Sequence, residues 1–264
     1  MDFTAGDAKR MAELPTKVTR FMRPAHLPVT EPGEFGARSG FGGRPYLAAG
    51  VEHPACPRCG NPMALFVQLR LDELPEAIRP AGEGLIQLLY CITLQGADRM
   101  CEIELGAGAS FAAGEVVRMV AAEGGSVSPV APAFPPQRIM GWYTRPDVPS
   151  CQELEEELGV DVEDELMDRL LDLQGKFGGS LPRPGDKMGG WPAWVQEVEY
   201  PDCTTCGRRM SYVIQIDSED HIPYMFQDGG TGHVAQCQAH PDVLTFGWAC
   251  GCRPPPPPAL NPPE

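Results

Sequence analysis

Two stretches of the chain repeat one another. FGGRPYLAAGVEHPACPRCGNPMALFVQL (41–69) and MGGWPAWVQEVEYPDCTTCGRRMSYVIQI (188–216) align without a gap at a constant offset of 147 positions. Eleven of 29 residues are identical: Gly42/Gly189, Gly43/Gly190, Pro45/Pro192, Val51/Val198, Glu52/Glu199, Pro54/Pro201, Cys56/Cys203, Cys59/Cys206, Gly60/Gly207, Met63/Met210 and Gln68/Gln215. Unrelated segments would share about two, so the chain contains an internal duplication. A duplicated unit must be able to fold in similar surroundings twice, and 264 residues suffice for two cores of about 100 residues each.

At the centre of each copy stands Pro-x-Cys-x-x-Cys-Gly. Two thiolates three residues apart can hold one metal ion if the backbone between them turns sharply, and a glycine after the second cysteine accepts the positive φ of such a knuckle. Runs rich in β-forming residues follow, Met63–Leu71 and Met210–Asp217, so each copy is expected to run from knuckle into strand. A closed structural zinc needs four ligands. In the first copy the remaining cysteines before the connector complete the set Cys56, Cys59, Cys91 and Cys101. In the second, Cys237 lies 146 positions after Cys91 and is followed by His240, which gives Cys203, Cys206, Cys237 and His240. Cys250 and Cys252 are the alternative second pair. A redox role for the CxxC pairs is a rival reading, but such motifs sit where a strand enters a helix, and here strands follow.

The expected organisation is an N-terminal arm (1–30), a first lobe (31–130), a helical acidic connector (131–184), a second lobe (185–252) and a proline-rich tail (253–264). The connector carries a capping box, Ser150 with Glu153, ahead of a helix stopped by Gly159, then a second helix over 163–173. Between Gln152 and Leu173 there are ten acids and one base, Arg169, so this segment holds −9 of the formal charge of −15. Such a chain repels a phosphate backbone, which excludes nucleic acid as the expected partner and favours a basic one. No window approaches the length of apolar chain that crosses a bilayer, and the N-terminus lacks a secretory pattern; the expected location is the cytoplasm, where paired cysteines bind metal more often than they form disulfides.

Trp191 and Trp194, with Gln215, Asp217 and Asp228 as polar neighbours, are candidates for a partner-binding groove. Asp217, Asp228 and His233 are the residues a hydrolase or transferase in the second lobe would use. No GxSxG, HExxH or papain-like context surrounds any histidine or cysteine, and the Gly-rich QDGGTG turn (227–232) lacks the lysine of a phosphate loop.

The pattern GGRP, PxCxxCGxPM and Gln68, followed by GDKMGGWPAWVQ, CxxCG, QID, DGGTG and FGWAC, resembles the bacterial YwqG family of unknown function and, more distantly, the eukaryotic programmed cell death 2 proteins, grouped as TYPP domains. The resemblance covers about 41–252. It implies a β-rich duplicated fold with structural zinc where the cysteines are kept, and, from the eukaryotic relatives, a chaperone that holds a ribosomal protein. The expectation is therefore a mainly β (α+β), two-lobed antiparallel protein with up to two structural zinc ions. It would act as a non-enzymatic binding module for a basic polypeptide client; the other expectations are an enzyme with its site in the second lobe, or an immunity-type protein that binds a toxin.

Overall fold

The computed structural model describes residues 14–92, 108–168, 170 and 182–251. A short helix, α1 (Thr16–Thr19), precedes twelve strands: β1 (Arg23–Pro32), β2 (Gly40–Phe41), β3 (Tyr46–Leu47), β4 (Ala64–Arg70), β5 (Leu85–Tyr90), β6 (Glu115–Val120), β7 (Ser126–Val127), β8 (Gln137–Asp147), β9 (Lys187–Gly189), β10 (Ser211–Asp217), β11 (Thr231–Gln236) and β12 (Leu244–Ala249). Ten of them form a single antiparallel sheet in the order β12-β11-β10-β9-β1-β8-β2-β4-β5-β6, and β3 pairs with β7 apart from it. The mainly β, duplicated antiparallel architecture expected from the sequence is present.

The sheet order is a palindrome of the two copies. β2 and β9 occupy equivalent places, as do β4 and β10, and their registers match: Gly40 faces Gln68 as Lys187 faces Gln215. Even a bulge is repeated, between Leu65 and Val67 on β4 and between Tyr212 and Ile214 on β10. The strands ahead of the two copies are exchanged across the centre. β1, which precedes the first copy, pairs with β9 of the second, and β8, which precedes the second, pairs with β2 of the first. β1 and β8 then pair with each other along ten residues. The 131–184 segment thus contributes the longest strand of the sheet before its helical turns.

The two ends of the sheet, β6 and β12, come together, so the sheet is nearly closed. No ladder joins them. Instead the Glu115 carboxylate accepts from the Phe246 N–H (3.1 Å), the Thr245 hydroxyl (2.7 Å) and the Phe111 N–H (3.0 Å), and the Trp248 N–H donates to Gly108 O. Inside, aromatic rings from both copies interlock: Phe66 meets Tyr224 at 5.0 Å, Tyr90 meets Phe246 at 5.9 Å, and the Trp248 indole N–H donates to the Tyr90 hydroxyl. One core therefore serves both repeats.

The acidic segment begins with the expected Ser150 cap, whose hydroxyl accepts the Glu153 N–H at 3.0 Å. The turn over Glu153–Glu157 is a π-helix, not an α-helix. The Glu153 carboxylate does not return to the Ser150 backbone but accepts from Trp194 Nε1 and Tyr200 Oη of the second copy. Gly159 ends the turn at φ +61. Leu154, Leu166 and Leu170 pack inward with Val18, Val148 and Val160 in a satellite core, as the helical spacing of leucines predicts. The helix expected over 163–173 is present at 164–168 and 170; residues 169 and 171–173 and the proline-rich tail (253–264) lie outside the described residues.

Candidate metal centre

Both knuckles fold the same way. Cys56 N–H donates to Asn61 O, Gly60 N–H to Cys56 O and Met63 N–H to Pro54 O; 147 residues later, Cys203, Gly207 and Met210 donate to Arg208, Cys203 and Pro201. The glycine after the second cysteine takes φ +71 in Gly60 and +64 in Gly207, the left-handed conformation for which the sequence reserves it.

In the second copy the knuckle meets the end of β11. Cys203, Cys206, Cys237 and His240 bring three Sγ and one imidazole nitrogen within 4.8 Å of one another. Cys206 Sγ lies 3.7 Å from Cys237 Sγ, and His240 Nδ1 lies 3.7 Å from Cys203 Sγ and 3.6 Å from Cys237 Sγ. A tetrahedron with metal–sulfur bonds of about 2.3 Å has sulfur–sulfur edges of about 3.8 Å, and its sulfur–nitrogen edges are about 3.5 Å. The donor spacing fits such an ion. Burial opposes ionisation of Cys203, but the N–H groups of Cys206 and Thr205 point at its sulfur and bring the thiol down to about 7. The Cys206 thiol is lowered as well, chiefly by the Arg208 N–H. The backbone of the knuckle is thus arranged for thiolates, the form that binds metal.

In the first copy Cys56, Cys59 and Cys91 converge, with Cys59 and Cys91 sulfurs 3.7 Å apart. These are the positional equivalents of Cys203, Cys206 and Cys237. Cys101 and Cys252 lie outside the described residues. Cys250 is engaged in a disulfide and is not a member of the second cluster.

The residues expected to form a partner groove have different roles. Gln215 is buried, accepts the Ala193 N–H through Oε1 and donates to Gly185 O at 2.8 Å and Arg183 O at 3.5 Å. Gln68 makes the same three bonds, to Tyr46 N, Arg38 O and Gly36 O, each shifted by 147. The shared glutamine is a clamp between the loop before each copy and its central strand. Asp217 accepts from Gly185 N, Ser218 N and Thr231 Oγ1. Asp228 is exposed on the turn after it. Trp191 is 2% exposed, while the Trp194 ring lies against His233 at 4.5 Å, tilted by 47°.

His233 is buried with Nε2 unpartnered, and burial together with the Lys187 charge pushes its imidazole down to about 3. No described carboxylate hydrogen-bonds it, so Asp217, Asp228 and His233 do not form a proton-transfer unit. A third group, Asp186, Asp220 and His221, also converges. Its atoms are committed internally: Asp186 accepts from Asp217 N and from His221 Nδ1 (2.9 Å), and Asp220 accepts from Asp186 N. Burial lifts the Asp186 carboxyl to about 6.

Sequence reading missed the buried ion pair between Lys187 Nζ and Asp147 Oδ2, 2.8 Å apart with neither side chain exposed. Asp147 also accepts from Val148 N, Arg183 N and Trp191 N. Only Lys187, a charged residue inside the Met-Gly-Gly lead of the second copy, marks it in the sequence.

The model of a family described as a domain of unknown function, DUF1963, matches residues 39–235. The chain belongs to the DUF1963 family. The matched span covers both knuckles, the exchanged strand β8 and the clamp glutamines Gln68 and Gln215. A curated relative, the uncharacterized protein YpfL of Salmonella typhimurium, is 45% identical over 40 residues, which is 15% of this chain and 9% of that protein. The chain therefore spans less than a tenth of that relative's length. Among the described residues no helix is long and apolar enough to cross a membrane.

Proposed function

We propose that this DUF1963 protein is a non-enzymatic binding module in which structural zinc closes the knuckles, and that its acidic face takes a basic polypeptide. The observation that carries the metal reading is the tetrahedral spacing of three sulfurs and one nitrogen in Cys203, Cys206, Cys237 and His240. Three thiolates and one histidine leave no open position, so the ion would hold the knuckle to β11 and supply no chemistry to a substrate. In the first copy Cys56, Cys59 and Cys91 would hold zinc together with Cys101.

The polypeptide reading is supported by charge. Glu155, Glu156, Asp161, Glu163, Asp164, Glu165 and Asp168 are all exposed on the segment whose leucines are buried. The sequence resemblance to the YwqG group and to the programmed cell death 2 proteins points the same way. A client adding a strand at the edge of the main sheet is not favoured, because β6 and β12 occupy each other's edge.

Zinc per chain, measured by elemental analysis of protein purified without added metal, tests the first half: Cys237→Ser should remove one ion and Cys250→Ser none. Equal loss in both variants would sink the assignment. For the second half, a pull-down at near-physiological salt should recover a basic polypeptide with the native chain and lose it when Glu155, Glu156, Glu163 and Glu165 become Gln. Recovery of nothing, or equal recovery by both proteins, rejects the acidic face.

A further inference from the structure

A cleft of about 630 Å³ lies at the junction of β1, β9 and the second knuckle of this acidic chain. Its walls include Arg23, Ile78, Arg79, Trp191, Pro192 and Met210. Glu157 and Arg209 also line it but are paired with each other. Glu153, on the same wall, spends both oxygens on Trp194 and Tyr200.

Arg23 and Arg79 form no salt bridge among the described residues, although Arg23 is near enough to Glu153 to oppose the rise that burial gives that carboxyl. The Arg23 guanidinium lies over the Trp191 ring, 3.5 Å from its centre. That ring cannot move away, since its indole N–H donates to Phe21 O at 2.8 Å and its backbone N–H to the buried Asp147 at 3.0 Å. A guanidinium held over an indole is anchored by the ring while its N–H donors stay available to a carboxylate or phosphate. Arg79 uses one nitrogen on Leu74 O at 3.0 Å and keeps the others. Ile78, half-buried, supplies apolar surface beside these two cations, with the buried Pro192 and Met210 beneath.

We infer that the cleft is a binding site for a small organic anion, with a carboxylate or phosphate held by Arg23 and Arg79 and a compact apolar body against Ile78. The pre-orientation of Arg23 lowers the entropy lost on binding, and a bidentate contact to a planar anion is stronger than a contact to a point charge. Binding here requires neither a zinc ion nor a client on the acidic face, although Met210 of the knuckle and Glu153 and Glu157 of the acidic segment line the cleft.

The test is calorimetric titration of the full chain, carrying the metal it is purified with, against phenyl phosphate and benzoate at constant ionic strength. The pair separates phosphate from carboxylate recognition, and inorganic phosphate alone reports the contribution of the apolar body. Saturable binding of at least one aromatic probe is expected. Arg23→Gln and Arg79→Gln should each weaken it by at least about tenfold, whereas Arg138→Gln, a surface cation outside the cleft, should leave it unchanged. Both cleft arginines are exposed, so the variants should keep the native thermal midpoint. No saturable binding of either aromatic probe, or binding that survives both cleft substitutions, overturns the inference.

Discussion

Lys187 and Asp147 are the two fully buried charges that hold the centre of the sheet, where β8, β1 and β9 meet. Burial lowers the Lys187 pKa while Asp147 opposes the fall, and the aspartate's further bonds to three backbone N–H groups make removing it the more damaging change. Asp147→Ala should cost about 3–5 kcal/mol in urea unfolding, because it strands an uncompensated ammonium in the core; replacing both residues by apolar ones should recover much of the loss. The two glutamine clamps make a second comparison at this scale. Gln215→Ala leaves the Ala193 N–H and the Gly185 carbonyl without their partner and should cost about 1–3 kcal/mol, whereas Asp228→Ala on the exposed turn should stay within about 0.5 kcal/mol. Equal effects at the two positions would contradict the placement of Gln215 as a structural residue.

The knuckle is the element at which backbone and metal chemistry meet. Gly207 has open space where a Cβ would stand, and its φ is +64. Gly207→Ala therefore introduces no clash, and its cost is the left-handed conformation alone, about 1–2 kcal/mol. The same substitution should lower metal affinity in competition with a chelator, since the two cysteines ahead of it, Cys203 and Cys206, lose their fixed spacing. Gly190 differs: a Cβ there would meet Asp147 Oδ2 at 2.5 Å, so Gly190→Ala should destabilise the chain by more than Gly207→Ala in the same unfolding assay.

For the whole molecule the weak point is the seam between β6 and β12. Burial pushes the Glu115 carboxyl up to about 7, although Thr245, Phe246 and Phe111 donate to it. A carboxyl whose folded pKa lies above its ordinary value of 4.5 binds more protons folded than unfolded, so its contribution falls as pH rises from about 4.5 through 7. His233 works in the opposite sense. Held down to about 3 from 6.5, it is neutral when folded and takes a proton when unfolded, so stability falls as pH drops below about 6.5 toward 3. The two slopes oppose each other between pH 4.5 and 6.5. Glu115→Gln should remove the alkaline loss, so that between pH 6 and 8 the variant's denaturation midpoint changes less than that of the parent chain. An identical profile in both proteins would show that the seam carboxylate is not the titrating group.

The duplication, the strands after each knuckle, the turn glycines, all four residues of the second cluster and the three described ones of the first were legible in the sequence, because each depends on residues close together or on a constant offset. The inward leucines of the acidic segment were legible for the same reason. The exchange of β1 and β8 was not, since pairing between strands more than a hundred residues apart leaves no local pattern. Nor were the roles of Gln215 and Asp147: a polar side chain reads as a surface group until the backbone N–H groups that surround it are brought near. The local chain determined what each copy is; only tertiary structure decided that the copies share one sheet and one core, because the edges left by each copy are satisfied by strands belonging to the other.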